Sequence, residues 1–333
     1  MNMQGGFMPE SGRIPTIHVV ADSIPRAHFR AMKAVWEQGL AIRTEYDRRD
    51  TKGEYIDPPS RDARVLIEVT DPFAQPRFPP LSFCEIGTYI AEILGVKDHL
   101  VVPTDELRRA RGGEFSAQEW PYTYHQRLFS HPAADGSAVD QIAIAIERVA
   151  QTPYTRRAVA TAAMPDVDVF LQEDVPCLRE MQLRCPEDEA GNWVLNLSTA
   201  WRSRDLYKAW SDNVLAITFL QSTIARQIAE KANRPVRVGS YADYTFAMHI
   251  YGQDFGAVGG DDERGLQSLF DTFDEDSYIA RSLDSDQALE MLVLPQLKAL
   301  CNEPLCSQWR FPKDAVHLLD TLIVDLESGR ITV

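Results

Sequence analysis

The sequence lacks an excess of basic charge, since 34 Lys and Arg residues stand against 49 Asp and Glu residues and the formal net charge is −15. Proteins that bind a nucleic-acid backbone need the opposite balance, because their affinity comes from cations that displace counterions along the phosphates. A broad nucleic-acid interface is therefore excluded. Any phosphate that binds here must be small and held locally.

Long apolar runs are also missing. No stretch of about 18 apolar residues occurs, as a membrane-spanning helix would need. Residues 1–15 (MNMQGGFMPESGRIP) do not contain the apolar segment of a secretory signal. These two absences predict a cytoplasmic protein.

The cysteines show no pairing by spacing. Five occur, at positions 84, 177, 185, 301 and 306, and none forms a CxxC motif. We expect reduced thiols without a disulfide framework. Cys301 and Cys306 have no further Cys or His at ligand spacing, so no metal site is predicted.

The residues that are present fit a globular α+β protein, with 44% hydrophobic and 25% charged residues. We expect a flexible N-terminus over 1–15 and a single domain over 16–333, because no repeat or linker divides the chain. Residues 103–118, with a Gly-Gly pair, are predicted to be a surface insertion.

Helix and strand signals alternate along the chain. Helices are predicted over Ser23–Gly39, Cys84–Leu94, Asp140–Ala150 and Asn213–Ala232. Strands are predicted over 16–20 and 63–69, in four runs of 158–201 (AVATAAM, VDVFLQ, REMQLRC, WVLNLSTAW), and as two strands in VRVGSYADYTFAMHIYG. A mainly antiparallel or mixed sheet follows from this pattern.

Two local features suggest a site for an anionic substrate. Arg156 and Arg157 precede a strand and offer a fork for a phosphate dianion, although an isolated pair of this kind is more often a solvated surface feature. Cys177 follows Pro176 at a strand start, and its thiol becomes a nucleophile if cations such as Arg202 lower its pKa. A lone cysteine is otherwise more often buried and inert.

Polar residues farther along have two interpretations each. Asn213, at the start of a predicted helix, serves either as an N-cap or as a reader of a pyrimidine ring, whose carbonyl and N–H it can pair with. His249 and Tyr251 lie two apart, hence on one face of a strand, where both could bond a sugar hydroxyl. The alternative is that both belong to the core or the surface.

The order and spacing of these features resemble the thymidylate synthase superfamily, which includes pyrimidine-nucleotide hydroxymethylases. The pattern is an arginine pair, Pro-Cys about 20 residues on, Gln182, then Arg-Ser-x-Asp from Arg202, Asn213 eleven residues after that arginine, and His-x-Tyr. The resemblance covers 150–252, is weaker over 40–130, and leaves 255–333 as a family-divergent C-terminal region. It implies a mixed sheet packed by helices and a homodimer formed through the sheet.

The resemblance also implies a cofactor, 5,10-methylenetetrahydrofolate, and a role for each matching residue. Cys177 would attack C6 of the pyrimidine. Arg202 would hold the phosphate in its own subunit, and Arg156 and Arg157 would reach the partner's phosphate across the dimer interface. The residues that would position phosphate, nucleotide and folate are Gln182, Ser203 and Asp205.

Four further roles follow from the same resemblance. Asn213 would read the base, and His249 with Tyr251 would bind the ribose 3′-hydroxyl. Glu92, in YIAEIL, resembles the glutamate that transfers protons through water. Tyr124, in PYTYHQRL, resembles the tyrosine that assists removal of the C5 proton.

Departures from the family pattern bear on the product. The family's N-terminal phosphate loop is absent, which leaves Arg43 or Arg61 as the fourth phosphate arginine. The family's tryptophan, which holds the methylene intermediate for reduction, is replaced by Ala110 unless a gap brings Trp120 into its place. Without that tryptophan, water can add to the methylene intermediate in place of hydride, which favours hydroxymethylation over methylation.

Base and sugar preference depend on single positions in this resemblance. Asn213 favours uracil, whereas a one-residue slip would place Asp212 there and favour cytosine. Ser203 and the intact arginine pair match the members that use deoxynucleotides. We therefore expect dUMP to become 5-hydroxymethyl-dUMP, with dTMP synthesis, a CMP or dCMP 5-hydroxymethylase, or an inactive nucleotide-binding relative as alternatives.

Overall fold

The computed structural model describes residues 12–81, 85–110, 119–133, 135–172, 174–258, 264, 266–301 and 311–333. The chain divides into two compact units, each drawn from three stretches of sequence. Unit 1 takes its residues from 1–83, 201–211 and 242–284, and unit 2 from 84–200, 212–241 and 285–333. A single domain over 16–333 stays a prediction.

Unit 1 contains a mixed sheet. Its strands are β1 (Thr16–Ala21), β2 (Leu40–Ile42), β3 (Ser60–Val69), β9 (Arg204–Asp205) and the second part of β10 (Val236–Ile250). β1 lies parallel to β3, β2 antiparallel to β3, and β9 parallel to β10. Alternate residues of β3 are buried, as expected for a strand with one face in the core.

Helix α1 (Ile24–Gln38) covers this sheet in unit 1. It begins after Ser23, which has the extended backbone of an N-cap, and ends at Gly39, as the Ser, Pro and Gly signals predict. A Cβ atom at Gly39 would lie 2.4 Å from the Val35 carbonyl oxygen, so the chain needs glycine there. The short helices α8 (Gln267–Thr272) and α9 (Glu275–Ile279) follow in the same unit.

Unit 2 has strands β6 (Val159–Thr161), β7 (Leu178–Arg184), β8 (Trp193–Trp201, all but its last residue) and the first part of β10, in the hydrogen-bonded order β6-β7-β8-β10. A small hairpin joins β4 (His131–Pro132) to β5 (Ala138–Val139). The described helices of unit 2 are α2 (Ile86–Ile93), α3 (Thr104–Ala110), α4 (Tyr124–Phe129), α5 (Gln141–Gln151), α6 (Pro165–Asp168), nearly all of α7 (Trp210–Ala232), α10 (Ser285–Ala288), α11 (Leu294–Cys301) and α12 (Lys313–Glu327).

The long helix α7 confirms its predicted apolar stripe, since Ile217, Leu220, Ile224 and Ile228 are all buried. Gln221 on this helix donates to the Leu195 carbonyl of β8 at 2.9 Å, which fixes the helix against the strand. The helices and mixed strands together confirm the α+β class. None of the helices in the described part of the chain is long and apolar enough to cross a membrane.

Two strand predictions are wrong. The run VDVFLQ forms α6 and a turn, because Pro165 starts a helical turn and the Asp168 carboxylate accepts the Met164 N–H at 2.9 Å. The run predicted as two strands is the single strand β10. Its Gly239 marks a close approach to β8 rather than a turn, since a Cβ atom there would lie 2.6 Å from the Val194 side chain.

Some predictions concern residues that are only partly described. Helix α3 occupies part of the predicted insertion 103–118, while 111–118 lie outside the described residues, as do 1–11 of the predicted N-terminus. Cys84 and Cys306 lie outside them too. Among the described residues, Cys177, Cys185 and Cys301 are not in disulfide bonds.

Candidate active site

The backbone around Cys177 is held on both sides in unit 2. The Cys177 and Leu178 N–H groups each donate to the Tyr124 hydroxyl at 3.2 Å. Arg179 donates to the Pro176 carbonyl at 3.3 Å and to the Asp168 carboxylate at 3.1 Å. The thiol is half-buried, and its position at the start of β7 is therefore fixed by its neighbours.

Tyr124 is the first residue of α4 and follows the N-cap Thr123, whose hydroxyl accepts the Gln126 N–H. Burial raises the pKa of the Tyr124 phenol well above its usual range, and the nearby Cys177 raises it further. The Tyr122 hydroxyl donates to Tyr124, and the two rings lie 5.4 Å apart. Tyr122 was not predicted as a site residue, although its place two residues before Tyr124 in PYTYH is a usable signal.

Asn213 is the fourth residue of α7, so the N-cap interpretation is wrong. Its amide nitrogen donates to the Tyr89 hydroxyl at 2.9 Å. Tyr89 was missed by the sequence analysis, although it stands three residues before Glu92 and hence on the same face of α2. Asp212, the alternative base reader, is buried in the first turn of α7.

The Glu92 carboxylate forms a largely buried ion pair with Lys97, with Oε2 and Nζ 3.2 Å apart. Burial raises the pKa of Glu92, Lys97 lowers it, and Asp98 raises it, with a net rise. Such a carboxyl group is a stronger base than an exposed glutamate. Of the two candidates for the tryptophan position, Ala110 ends α3 and Trp120 lies with its ring over Lys97.

The arginine pair lies on the surface of unit 2. Arg156 and Arg157 are exposed and stand before β6. Gln182 on β7 donates to the Arg156 carbonyl at 3.1 Å, and Arg148 donates to the Arg157 carbonyl at 2.7 Å. The backbone of the pair is thus anchored while both side chains face outward.

In unit 1, Arg202, Ser203 and Asp205 are close in sequence to Arg204, which belongs to a buried ion pair. Arg204 donates to the Asp243 carboxylate at 2.9 Å, and this pair ties β9 to β10. Arg202 is exposed and Ser203 is half-buried. Asp205 accepts the N–H groups of residues 207 and 208, and burial raises its pKa to about 6.

His249 stands opposite Asp205 in the β9–β10 register, and its ring lies 4.4 Å from the Tyr251 ring. Its Nδ1 donates to the Ala247 carbonyl at 3.1 Å, which leaves Nε2 as an acceptor. Nε2 is buried without a hydrogen-bond partner among the described residues. Burial lowers the pKa of His249, so the neutral ring can accept a hydrogen bond from a hydroxyl group.

Both candidates for the fourth phosphate arginine are engaged within unit 1. Arg43 donates to the Asp57 carbonyl at 2.5 Å and lies 4.0 Å from the Tyr55 ring centroid. Arg61 donates to the Gly39 carbonyl at 3.4 Å, and burial lowers its pKa.

The chain is similar in sequence to known proteins. The family model described as thymidylate synthase matches residues 113–267. A Methanocaldococcus jannaschii protein named "Putative thymidylate synthase" is 33% identical over 236 residues, which are 69% of this chain and 88% of the relative. A Methanosarcina acetivorans protein of the same name is 26% identical over 251 residues, 75% of this chain and 94% of the relative. Thermostable thymidylate synthase A from Bacillus subtilis aligns in structure with a TM-score of 0.45 and 18% identity, over 69% of this chain and 80% of that one.

Proposed function

The chain belongs to the thymidylate synthase family, and we propose that it transfers one carbon to C5 of dUMP and releases 5-hydroxymethyl-dUMP. The observation that carries the proposal is the bond from the Cys177 N–H to the Tyr124 hydroxyl at 3.2 Å, which joins the proposed nucleophile to the proposed proton-transfer residue. 5,10-Methylenetetrahydrofolate would supply the carbon at the methylene oxidation level. The buried Asp205 carboxylate suits the N–H donors of its pterin ring.

The Cys177 thiolate would add to C6 of the pyrimidine, which places negative charge on C5 and O4 and makes C5 nucleophilic. After C5 bonds to the methylene carbon, the C5 proton would leave with the help of the Tyr124 hydroxyl. The bond from that carbon to the carrier nitrogen would break at the same time, which would release tetrahydrofolate and leave a methylene double bond at C5. Water then adds to the methylene carbon. The Cys177 thiolate departs from C6 as the C5–C6 double bond re-forms, which returns the enzyme to its starting state.

The nucleotide would be held by groups suited to each of its parts. Arg202 would bind the phosphate, with Ser203 and Gln182 beside it, and Arg156 and Arg157 would reach the partner's phosphate in a homodimer. The exposed guanidinium groups of the pair support this proposal. His249 Nε2 would accept a hydrogen bond from the ribose 3′-hydroxyl, with Tyr251 beside it.

Asn213 would read the base. Its amide offers one donor and one acceptor, which match the O4 and N3–H of uracil. The bond to Tyr89 holds this amide in place, which supports Asn213 over Asp212 as the base reader.

A second candidate is dTMP synthesis. The names of the two methanogen relatives favour it. It differs from the first in one step, since the methylene group is reduced by hydride rather than attacked by water.

Product analysis distinguishes these functions. The protein is incubated with methylenetetrahydrofolate and, separately, dUMP, dCMP, UMP and CMP, the nucleotide is weighed by mass spectrometry, and dihydrofolate is followed by absorbance. A hydroxymethyl adduct of dUMP without dihydrofolate is expected. A methyl adduct with dihydrofolate would mean dTMP synthesis, turnover of cytosine nucleotides alone would refute the role of Asn213, and no transfer to any nucleotide would refute the function.

A further inference from the structure

The turn after α2 brings a lysine back to Glu92. Gly95 has a positive φ of 93°, its N–H donates to the Glu92 carbonyl at 2.9 Å, and the Val96 N–H donates to the Ala91 carbonyl at 3.0 Å. These bonds form a Schellman ending, which reverses the chain direction. As a result Lys97, five residues after Glu92, lies beside its carboxylate.

The ammonium group of Lys97 is enclosed. Its side chain is 7% exposed, and Nζ lies 3.2 Å from Glu92 Oε2 and 5.0 Å from the centroid of the Trp120 ring. Trp120 is held in place by backbone bonds to residues 100 and 102. Burying an ammonium group is costly and an apolar side chain would fill the space more cheaply, so stability alone does not explain a lysine here.

Among the described residues, Lys97 is the cation that pairs with Glu92, since the neighbouring charged groups either are negative or pair with other residues. Asp98 adds negative charge, and its carboxylate is bonded to Thr123 and to His125 of α4. The remaining charged groups on the elements packed against α2 are directed elsewhere: Arg127 of α4 pairs with Asp168, Lys298 of α11 pairs with Glu327, and Glu290 is exposed.

We propose that Lys97 is a positioning residue whose ammonium group holds the Glu92 carboxylate ionised and aimed, so that Glu92 is the base that takes a proton from water in the last addition step. The inference rests on the proposed hydroxymethyl transfer. One O–H bond of water breaks and its proton goes to Glu92, while the oxygen bonds to the methylene carbon at C5. The electron pair of the methylene double bond moves toward O4 and then expels the Cys177 thiolate from C6.

This arrangement gives Glu92 both properties that a base requires. Burial raises the pKa of Glu92 and so makes it more basic, whereas Lys97 opposes that rise and favours the ionised form. Without Lys97, burial and Asp98 would act alone and the carboxyl group would be protonated over a wider pH range.

The test is a titration of Glu92 in the full-length protein and in Lys97→Met and Lys97→Arg. Carbon-13 NMR of the protein labelled at the glutamate carboxyl reports the protonation of Glu92, whose resonance is identified by its loss in Glu92→Gln. The pH profile of kcat/KM for dUMP is measured on the same samples. Lys231→Met is the matched control, because Lys231 forms an exposed pair with Glu147 in the same unit.

In Lys97→Met we expect the Glu92 midpoint and the acidic limb of kcat/KM to move to higher pH by about one unit or more. Lys97→Arg, which retains the charge, and Lys231→Met should both follow the wild type. A folded Lys97→Met with the wild-type midpoint would overturn the inference. If the midpoint moves but the wild type transfers no carbon to dUMP, the pairing of Lys97 with Glu92 is supported, and both the proposed function and the role in water addition are refuted.

Discussion

The buried pair Arg204–Asp243 supports the β9 strand that carries Asp205, and its removal has a predictable cost. Both side chains are at most 1% exposed, and the Asp243 carboxylate also accepts the Trp210 Nε1–H at 3.0 Å. Asp243→Asn preserves the shape and a hydrogen-bond acceptor but removes the negative charge. Breaking a buried pair in this way leaves an uncompensated guanidinium and costs about 3–5 kcal/mol. We expect the free energy of unfolding of unit 1 to fall by that amount.

Urea unfolding followed by tryptophan fluorescence measures this change, because two of the six tryptophans lie at the pair: Trp210 bonds to Asp243, and the Arg204 guanidinium lies 3.8 Å from the Trp201 ring centroid. The apolar double variant Arg204→Met/Asp243→Leu should recover most of the lost stability, since no buried charge remains. Asp188→Asn, in the more exposed pair with Arg237, should cost less than about 1 kcal/mol. A loss below about 1 kcal/mol in Asp243→Asn would refute the reasoning.

Three further predictions concern the proposed site. Cys177→Ser should lower turnover by at least about 10³-fold while dUMP binding, measured by calorimetry, stays within a few-fold; normal turnover would exclude covalent catalysis. Because the pKa of Asp205 rises from 3.8 to about 6 on folding, this group favours the folded state below pH 3.8, and its contribution is lost as the pH rises through 6. In Asp205→Asn, the free energy of unfolding measured by urea titration should therefore fall less with rising pH, by up to about 3 kcal/mol. An unchanged pH dependence of the unfolding free energy would contradict the raised pKa. Asn213→Asp should change the ratio of kcat/KM for dUMP over dCMP by about tenfold or more toward dCMP, and an unchanged ratio would rule out Asn213 as the base reader.

The fold was predictable where local signals decide it. Helix α1 follows from Ser23 and Gly39, and the stripe of α7 follows from apolar spacing. One strand error, at VDVFLQ, arose because Pro165 and Asp168 favour a helical turn locally, and the other arose where a tertiary contact overrides the local pattern. Gly239 resembles a turn residue in sequence, yet it lies within β10. Glycine is needed there because β8 leaves no room for a Cβ atom.

The sequence was enough to predict which residues belong to the candidate site, but not which hydrogen bonds they form. The order of motifs led to the prediction of Cys177 and Asn213, and the likeness of PYTYHQRL to the prediction of Tyr124, but their hydrogen bonds depend on chain segments far apart in sequence. Tyr89 and Asn213 are 124 positions apart, and no local pattern indicates that their side chains meet. The roles assigned to all the site residues stay predictions.

Helix α2 carries a residue that contacts the proposed base reader, and it also carries the proposed general base Glu92. Tyr89 contacts the proposed base reader Asn213, and Glu92 stands one turn later on the same helix face. Gly95 follows the end of the helix, and a Cβ atom there would lie 2.6 Å from the His125 ring, so this position accepts little besides glycine. That ending places Lys97 at Glu92. A single stretch of 13 residues, 85–97, therefore supplies both Tyr89, which holds the proposed base reader Asn213, and the Glu92–Lys97 pair. Substitution of Tyr89 should alter base preference, and substitution of Lys97 should alter the pH profile.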